Sequence, residues 1–210
     1  MVMHLEESDV RAVLQWHELI PSMEKALAAF STGRVLQPVR NVLTIEEGKR
    51  YLGIMPAVAE DSMGLKLVSF YPGNEGTAIP THMAMVLLFR PETGEPLAVM
   101  DGRLITEMRT AAVSAAVTHR LASPNSRVLA LLGSGVQAKA HLEALRHVRE
   151  LDEVRVWSRT PEHTPSALPR RMAPRRQTLR LLCAVQTSLL LQQTRANRSL
   201  WELGSSPGRT

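Results

Sequence analysis

The sequence predicts an α/β fold in two parts: a first α/β part to about residue 122, and then the opening of a doubly wound parallel sheet. Three observations predict it. Strand-like apolar runs follow one another between residues 36 and 89, separated or followed by turn signals. "LITEMRTAAVSAAVTHRLA", from Leu104, reads as a long helix rich in small residues. Beyond the breaker "SPNS", the pattern becomes strand, glycine turn, helix and strand in "RVLALLG", "VQAKAHLEALRHV" and "EVRVWSR".

In chain order, Ser8 to Gln15 is expected to form a short helix, and "IPSMEKALAAFSTG" a second. In the second, Met23, Ala26, Leu27 and Phe30 share a face, Pro21 is expected near the first turn, and Gly33 is placed to end it. The strand runs are "LQPVRNVLTI", "RYLGIMPAV", "MGLKLVSFYPG" and "THMAMVLLF", with turns at "YPGNEG" and "RPETGEP", and "LAVMDG" leads into the long helix.

Composition narrows the function classes. At 210 residues, 44% apolar and 21% charged, the chain has the composition of a globular protein. The start "MVMHLEESDV" has no apolar run behind a basic cluster, no stretch approaches a membrane span, and Cys183 stands alone. These features predict a cytoplasmic protein with no membrane partner and no disulfide framework. The net charge of +5 is unevenly placed. Residues 1–163 carry a net −2, while residues 164–210 hold eight arginines against Glu202 alone, a net +7. The acidic body offers no electrostatic reason to expect a nucleic-acid partner.

Gly133, Gly135 and Ala138 form a G-x-G-x-x-A pattern directly after an apolar strand. Gly133 permits a tight turn, Gly135 allows backbone to approach a pyrophosphate, and Ala138 keeps helix and strand close. The following helix N-terminus offers amide donors to phosphates. Any strand-to-helix turn can require glycine, so the pattern gains meaning from the strands on both sides. The second strand ends in Ser158, Arg159 and Thr160, with no acid before Glu162. NAD(H) sites usually place an acid there for the ribose 2′-hydroxyl, whereas an arginine suits a 2′-phosphate. The expected cofactor is therefore NADP(H) in preference to NAD(H), with a solvated arginine as the alternative reading.

With "QPVR", "GIMPA", "GLKLVSFYPGN", "MDGRLITEMRTAAVSA", "GSGVQA" and "VWSRT", the chain resembles the ornithine cyclodeaminase/mu-crystallin family over roughly Met1 to His163. The resemblance implies a substrate and dimerisation domain over 1–122 and the start of a Rossmann-type domain over 123–163. It implies hydride transfer between NAD(P)H and a small amino acid or cyclic ketimine, in a homodimer, or alternatively NADPH-dependent binding of a thyroid-hormone-like small molecule without turnover, or a nonfunctional truncated product. Arg40, Lys66 and Arg109 match the family's substrate-binding cations, with Lys66 and Arg109 expected to serve catalysis. Thr81, His82 and Thr110 match positions near the nicotinamide and phosphates, and Val136 and Gln137 match the phosphate turn. Read without the family, Arg40 and Arg109 are solvated charges and Lys66 is the outward residue of an alternating strand.

After "VWSRTPEH" the pattern changes. Residues 164–210 contain Pro165, Pro169 and Pro174, an arginine excess and no βαβ continuation. Shifting the reading frame of plausible codons there permits an amphipathic helix and then an apolar strand in the family's style. We therefore expect a frame change near His163, leaving an aberrant basic tail that is disordered or non-native, with a genuine variant basic tail as the alternative reading. The family's catalytic aspartate has no matching residue here, and impaired activity, with weak or absent NADPH binding, is the expectation.

Overall fold

The computed structural model describes residues 1–158. In chain order these form β1 (Met3–Leu5), α1 (Glu7–Val13), α2 (Trp16–Ser31), β2 (Asn41–Glu46), β3 (Arg50–Ala59), β4 (Ser62–Phe70), β5 (His82–Phe89) and β6 (Pro96–Asp101). Then come α3 (Arg103–Leu121), β7 (Val128–Leu132), α4 (Val136–Arg146) and β8 (Glu153–Trp157). None of the helices among the described residues is long and apolar enough to cross a membrane. The expectations for Arg159, Thr160 and the tail lie outside the described residues.

Strands β2 to β6 form an antiparallel meander, and β1 joins its far edge parallel to β6, giving the order β1-β6-β5-β4-β3-β2. The β2–β3 and β3–β4 connections are short turns, which make those neighbours antiparallel, while β4 and β5 are joined by the longer loop of residues 71–81. A second, two-stranded parallel sheet joins β7 to β8, with α4 as the crossover between them. This mixed architecture is the expected α/β fold.

Some details differ from expectation. Strand β1 has no counterpart among the expected elements, because three residues are too few to show an alternation. Helix α2 begins at Trp16, so Pro21 lies inside the helix rather than in its first turn. Proline removes one intrahelical donor there. Tertiary packing offsets the loss: Trp16, Leu19, Ile20 and Met23 on either side of it join one core cluster. As expected, Gly33 ends the helix, at φ +73°.

That cluster is built around alanines. Ala111, Ala112, Ala115 and Ala116 of α3 meet Ile20 of α2 and Ala140, Ala144 and Leu145 of α4. Small side chains let three helices approach one another closely. A separate cluster of Leu131, Leu142, Val154 and Val156 seals α4 onto β7 and β8, with Ala138 packed against it. Arg149 fastens the end of α3: its Nη2 donates to the carbonyls of Thr118 at 3.0 Å, His119 at 3.2 Å and Ala122 at 3.0 Å.

A cationic sheet face and a glycine turn

In an antiparallel ladder, residues directly opposite one another point to the same face. Lys66 of β4 lies opposite Met55 of β3 and Val86 of β5. His82 lies opposite Phe70, so Lys66, Val68, Phe70, His82, Ala84 and Val86 share one face. Arg40 immediately precedes β2, whose first residue Asn41 pairs with Ile54. The ladder thus carries Arg40 toward Met55 and hence toward Lys66.

Helix α3 brings Arg109 to the same place. It starts beside Ala84, where the Gly102 N–H donates to the Ala84 carbonyl at 2.8 Å. Arg109 and Arg40 both act electrostatically on Lys66. Burial, then Arg109 and Arg40, push the Lys66 ammonium down from its ordinary 10.5 to about 8. Burial, then Arg40, lowers Arg109 as well, although a guanidinium stays charged. Burial lowers the His82 imidazole, with Lys66 and Arg109 adding to the effect, so a neutral ring is favoured. Among the described residues, no carboxylate forms an ion pair with Arg40, Lys66 or Arg109. Converging cations without an acid between them leave a half-buried site of strong positive potential.

Thr81 and Thr110 stand at the margins of this region. The Thr81 carbonyl accepts from the Tyr71 N–H at 2.8 Å, closing the β4–β5 loop immediately before His82. The Thr110 hydroxyl, one residue after Arg109, donates to the Thr106 carbonyl at 2.6 Å.

The glycine turn is formed as its spacing predicts. Gly133 takes φ +124°, a conformation that side chains strongly disfavour, and its N–H donates to the Trp157 carbonyl at 2.7 Å. Ser134 and Ser158 bring their hydroxyl oxygens to 2.8 Å, so the end of β8 sits beside the turn. Gly135 caps α4 in ordinary extended geometry, and a Cβ placed there would meet nothing within 4 Å. The chain's own packing does not require that glycine; the open space above it fits a phosphate approaching the backbone. Val136 and Gln137 are exposed in the first turn of α4, while Ala138 packs inward as expected.

The two regions meet through their helices. Ser114, one turn beyond Thr110 on α3, lies 3.0 Å from Nε2 of His141, one turn beyond Gln137 on α4. Neither residue carries a sequence signal of its own. A serine in a small-residue helix and a histidine in an amphipathic one look like surface polar positions until the helices are packed.

An α/β chain with a glycine turn at a helix N-terminus and an uncompensated cationic sheet face has the layout of an anion- and nucleotide-binding protein. Comparison with known proteins narrows this class. The chain belongs to the ornithine cyclodeaminase/mu-crystallin family, whose family model matches residues 1–175. It is 51% identical over 150 residues to mouse (Mus musculus) ketimine reductase mu-crystallin, covering 69% of this chain and 48% of the mouse protein. The fold is similar to that of Thermococcus litoralis Δ1-pyrroline-2-carboxylate reductase in complex with NADH and L-proline. That match has a TM-score of 0.74 and 34% identity, and covers 78% of this chain and 51% of the other. An archaeal alanine dehydrogenase dimer with bound NAD gives a TM-score of 0.74 at 35% identity, over 78% of this chain and 50% of the other. The chain spans about half the length of the curated relatives it matches.

Proposed function

We propose that this chain carries the substrate-binding face and the opening of the cofactor site of an oxidoreductase acting between NAD(P)H and a small amino acid or cyclic ketimine. The observation that carries the reading is the convergence of Arg40, Lys66 and Arg109 without a described acidic partner. A 2-amino or 2-imino acid supplies the missing anion as its carboxylate. Arg109 and Arg40 grip that carboxylate through paired hydrogen bonds, the geometry to which a guanidinium is suited. Lys66, with its ammonium pushed down to about 8, contacts the same carboxylate or exchanges a proton with the reacting nitrogen.

The residues of the glycine turn fit a dinucleotide. Gly133, Gly135, Val136, Gln137 and Ala138 would hold its pyrophosphate through the turn and the first amides of α4. Thr81, neutral His82 and Thr110 would flank the nicotinamide end. When bound, the nicotinamide supplies the hydride chemistry for the C=N or CH–NH centre. Ser158, Arg159 and Thr160 would meet the adenosine ribose, and Arg159 inclines the choice toward NADP(H). Replacing it, Arg159→Ala, is expected to weaken NADPH binding and leave NADH binding unchanged; equal losses for both would sink that preference.

Self-association has its own support. Leu43 of β2 and Met83 and Met85 of β5 lie on the sheet face opposite Lys66, with exposures of 48%, 37% and 46%. An exposed apolar sheet face of this kind suits a second copy, and the archaeal alanine dehydrogenase neighbour is a dimer. Light scattering of the purified chain should give twice the monomer mass, and Met85→Lys should give the monomer.

The principal test is calorimetric titration of the full chain with Δ1-pyrroline-2-carboxylate and with L-proline, each with and without NADPH, followed by absorbance at the nicotinamide band. Arg109→Leu should weaken carboxylate binding on the order of 100-fold, through loss of two charge-assisted hydrogen bonds. Pyrrolidine, which lacks the carboxylate, should not bind. If pyrrolidine binds as well as proline does, the reading is wrong.

A further inference from the structure

The bridge between α3 and α4 has a defined proton arrangement. His141 Nδ1 lies 2.7 Å from the Gln137 carbonyl oxygen. A carbonyl only accepts, so Nδ1 carries the proton and donates. In the neutral ring Nε2 is then an acceptor, and the Ser114 hydroxyl at 3.0 Å is its donor. The competing acceptor for that hydroxyl, the Thr110 carbonyl, is 3.5 Å away and is the poorer partner. The result is a directed chain from the Ser114 hydroxyl to Nε2, and from Nδ1–H to Gln137 in the first turn of α4.

The ends of this chain are what make it consequential. Gln137 belongs to the first turn of α4, directly after Gly135, where an added Cβ would meet nothing within 4 Å, and Ser114 belongs to the helix that carries Arg109 and Thr110. Apart from Leu145, the apolar contact between the helices is made of alanines, which resist sliding or rotation less than large interlocking side chains do. A directional polar contact supplies the register that small side chains leave loose.

We propose that His141 is a positioning residue: held by the Ser114 hydroxyl, it fixes the first turn of α4 relative to the helix that carries Arg109. This inference rests on the function proposed above, because it assigns the two helices to the cofactor and the substrate. It predicts that removing the Ser114 hydroxyl loosens the glycine turn without unfolding the sheet.

The test compares the full-length wild-type chain with Ser114→Ala and Ser114→Thr. Two-bond ¹H–¹⁵N spectra of the imidazoles should show His141 protonated at Nδ1 in the wild type. Ser114→Ala should shift its Nε2 signal, and Ser114→Thr should restore it. Hydrogen exchange at residues 133–140 should quicken about five-fold in Ser114→Ala, the effect of one ordinary hydrogen bond, with β3, β4 and β5 unchanged. NADPH should bind Ser114→Ala about five-fold more weakly than wild type, with L-proline affinity in the absence of NADPH unchanged. Where the wild type binds NADPH too weakly to measure, as the missing family segment leads us to expect, the tautomer and the exchange at residues 133–140 decide the coupling. An Nε2-protonated ring, unchanged exchange in Ser114→Ala, or exchange that quickens equally throughout the chain overturns the inference.

Discussion

The Gly102 N–H donates to the Ala84 carbonyl at 2.8 Å, and a Cβ added to Gly102 would lie 3.0 Å from the Cβ of Ala84. This bond, one residue past the end of β6, is also the starting point of α3, and the helix leaves the sheet with no room for a side chain. Asp101 secures the same corner, its Oδ1 accepting from the Arg103 N–H at 2.8 Å. The position of Arg109 above the cationic face is inherited from this junction.

Gly102→Ala is therefore expected to cost about 1–3 kcal/mol, because backbone and Cβ atoms, rather than a flexible chain end, must move. Chemical denaturation would measure the loss. Carboxylate affinity should fall with it, since a displaced α3 carries Arg109 away from Lys66. Full affinity in a destabilised Gly102→Ala chain would show that the junction does not set the site.

Lys66 makes two pH effects of opposite sign. Its ammonium, ordinarily at 10.5, is pushed down to about 8 in the folded chain. Between those values the unfolded state binds more protons, so folded stability rises as the pH increases from about 8 to 10.5. Carboxylate binding should fall over the rise through pH 8, because the bound anion requires the charged ammonium. Lys66→Met should flatten both trends. Parallel melting and titration series from pH 7 to pH 10 would measure them, and a carboxylate affinity that holds level to pH 10 would count against the role of Lys66.

At Gly133 the cost of a side chain is conformational rather than steric. The residue sits at φ +124°, and an added Cβ would meet nothing within 4 Å. Gly133→Ala should destabilise the chain by about 1–3 kcal/mol and weaken nucleotide binding, since the turn must reshape. Gly135→Ala, at an ordinary φ of −79°, should leave stability nearly unchanged while still reducing nucleotide binding. Thermal melting beside NADPH titration separates the two glycines; equal melting losses would refute the distinction.

Arg149 is expected to act on stability alone. It donates to carbonyls at the end of α3 and, through Nη1, to the Val148 carbonyl at 2.7 Å, while its buried Nε has no partner among the described residues. Arg149→Ala should cost about 2–3 kcal/mol by releasing charge-assisted bonds at a helix C-terminus. Arg149→Lys should recover only part, because a point charge does not reproduce the fork that reaches several carbonyls at once. Differential scanning calorimetry would record the order wild type, Lys, Ala, and any other order would be evidence against the capping role.

What the sequence alone determined is what local chemistry controls. The positive φ that only glycine tolerates well announces Gly133 and the end of α2 at Gly33, and the apolar runs and turn residues announce strands β2 to β5, while their antiparallel order and the addition of β6 came from the tertiary structure. The stretch from Leu104 announces a long helix rich in small residues, and the structure packs Ala111, Ala112, Ala115 and Ala116 of it against two other helices. The tertiary structure decided what depends on partners distant in the chain. It placed three-residue β1 against β6, kept α2 helical through Pro21 by burying Ile20 and its neighbours, and turned Ser114 and His141 into a bonded pair. It also brought Arg40, Lys66 and Arg109 into one field, a convergence that the family resemblance implied but no local pattern contains. The physical reason is one of range. Backbone preference and periodicity act over a few residues, whereas sheet register and helix packing are settled by burial across the whole fold.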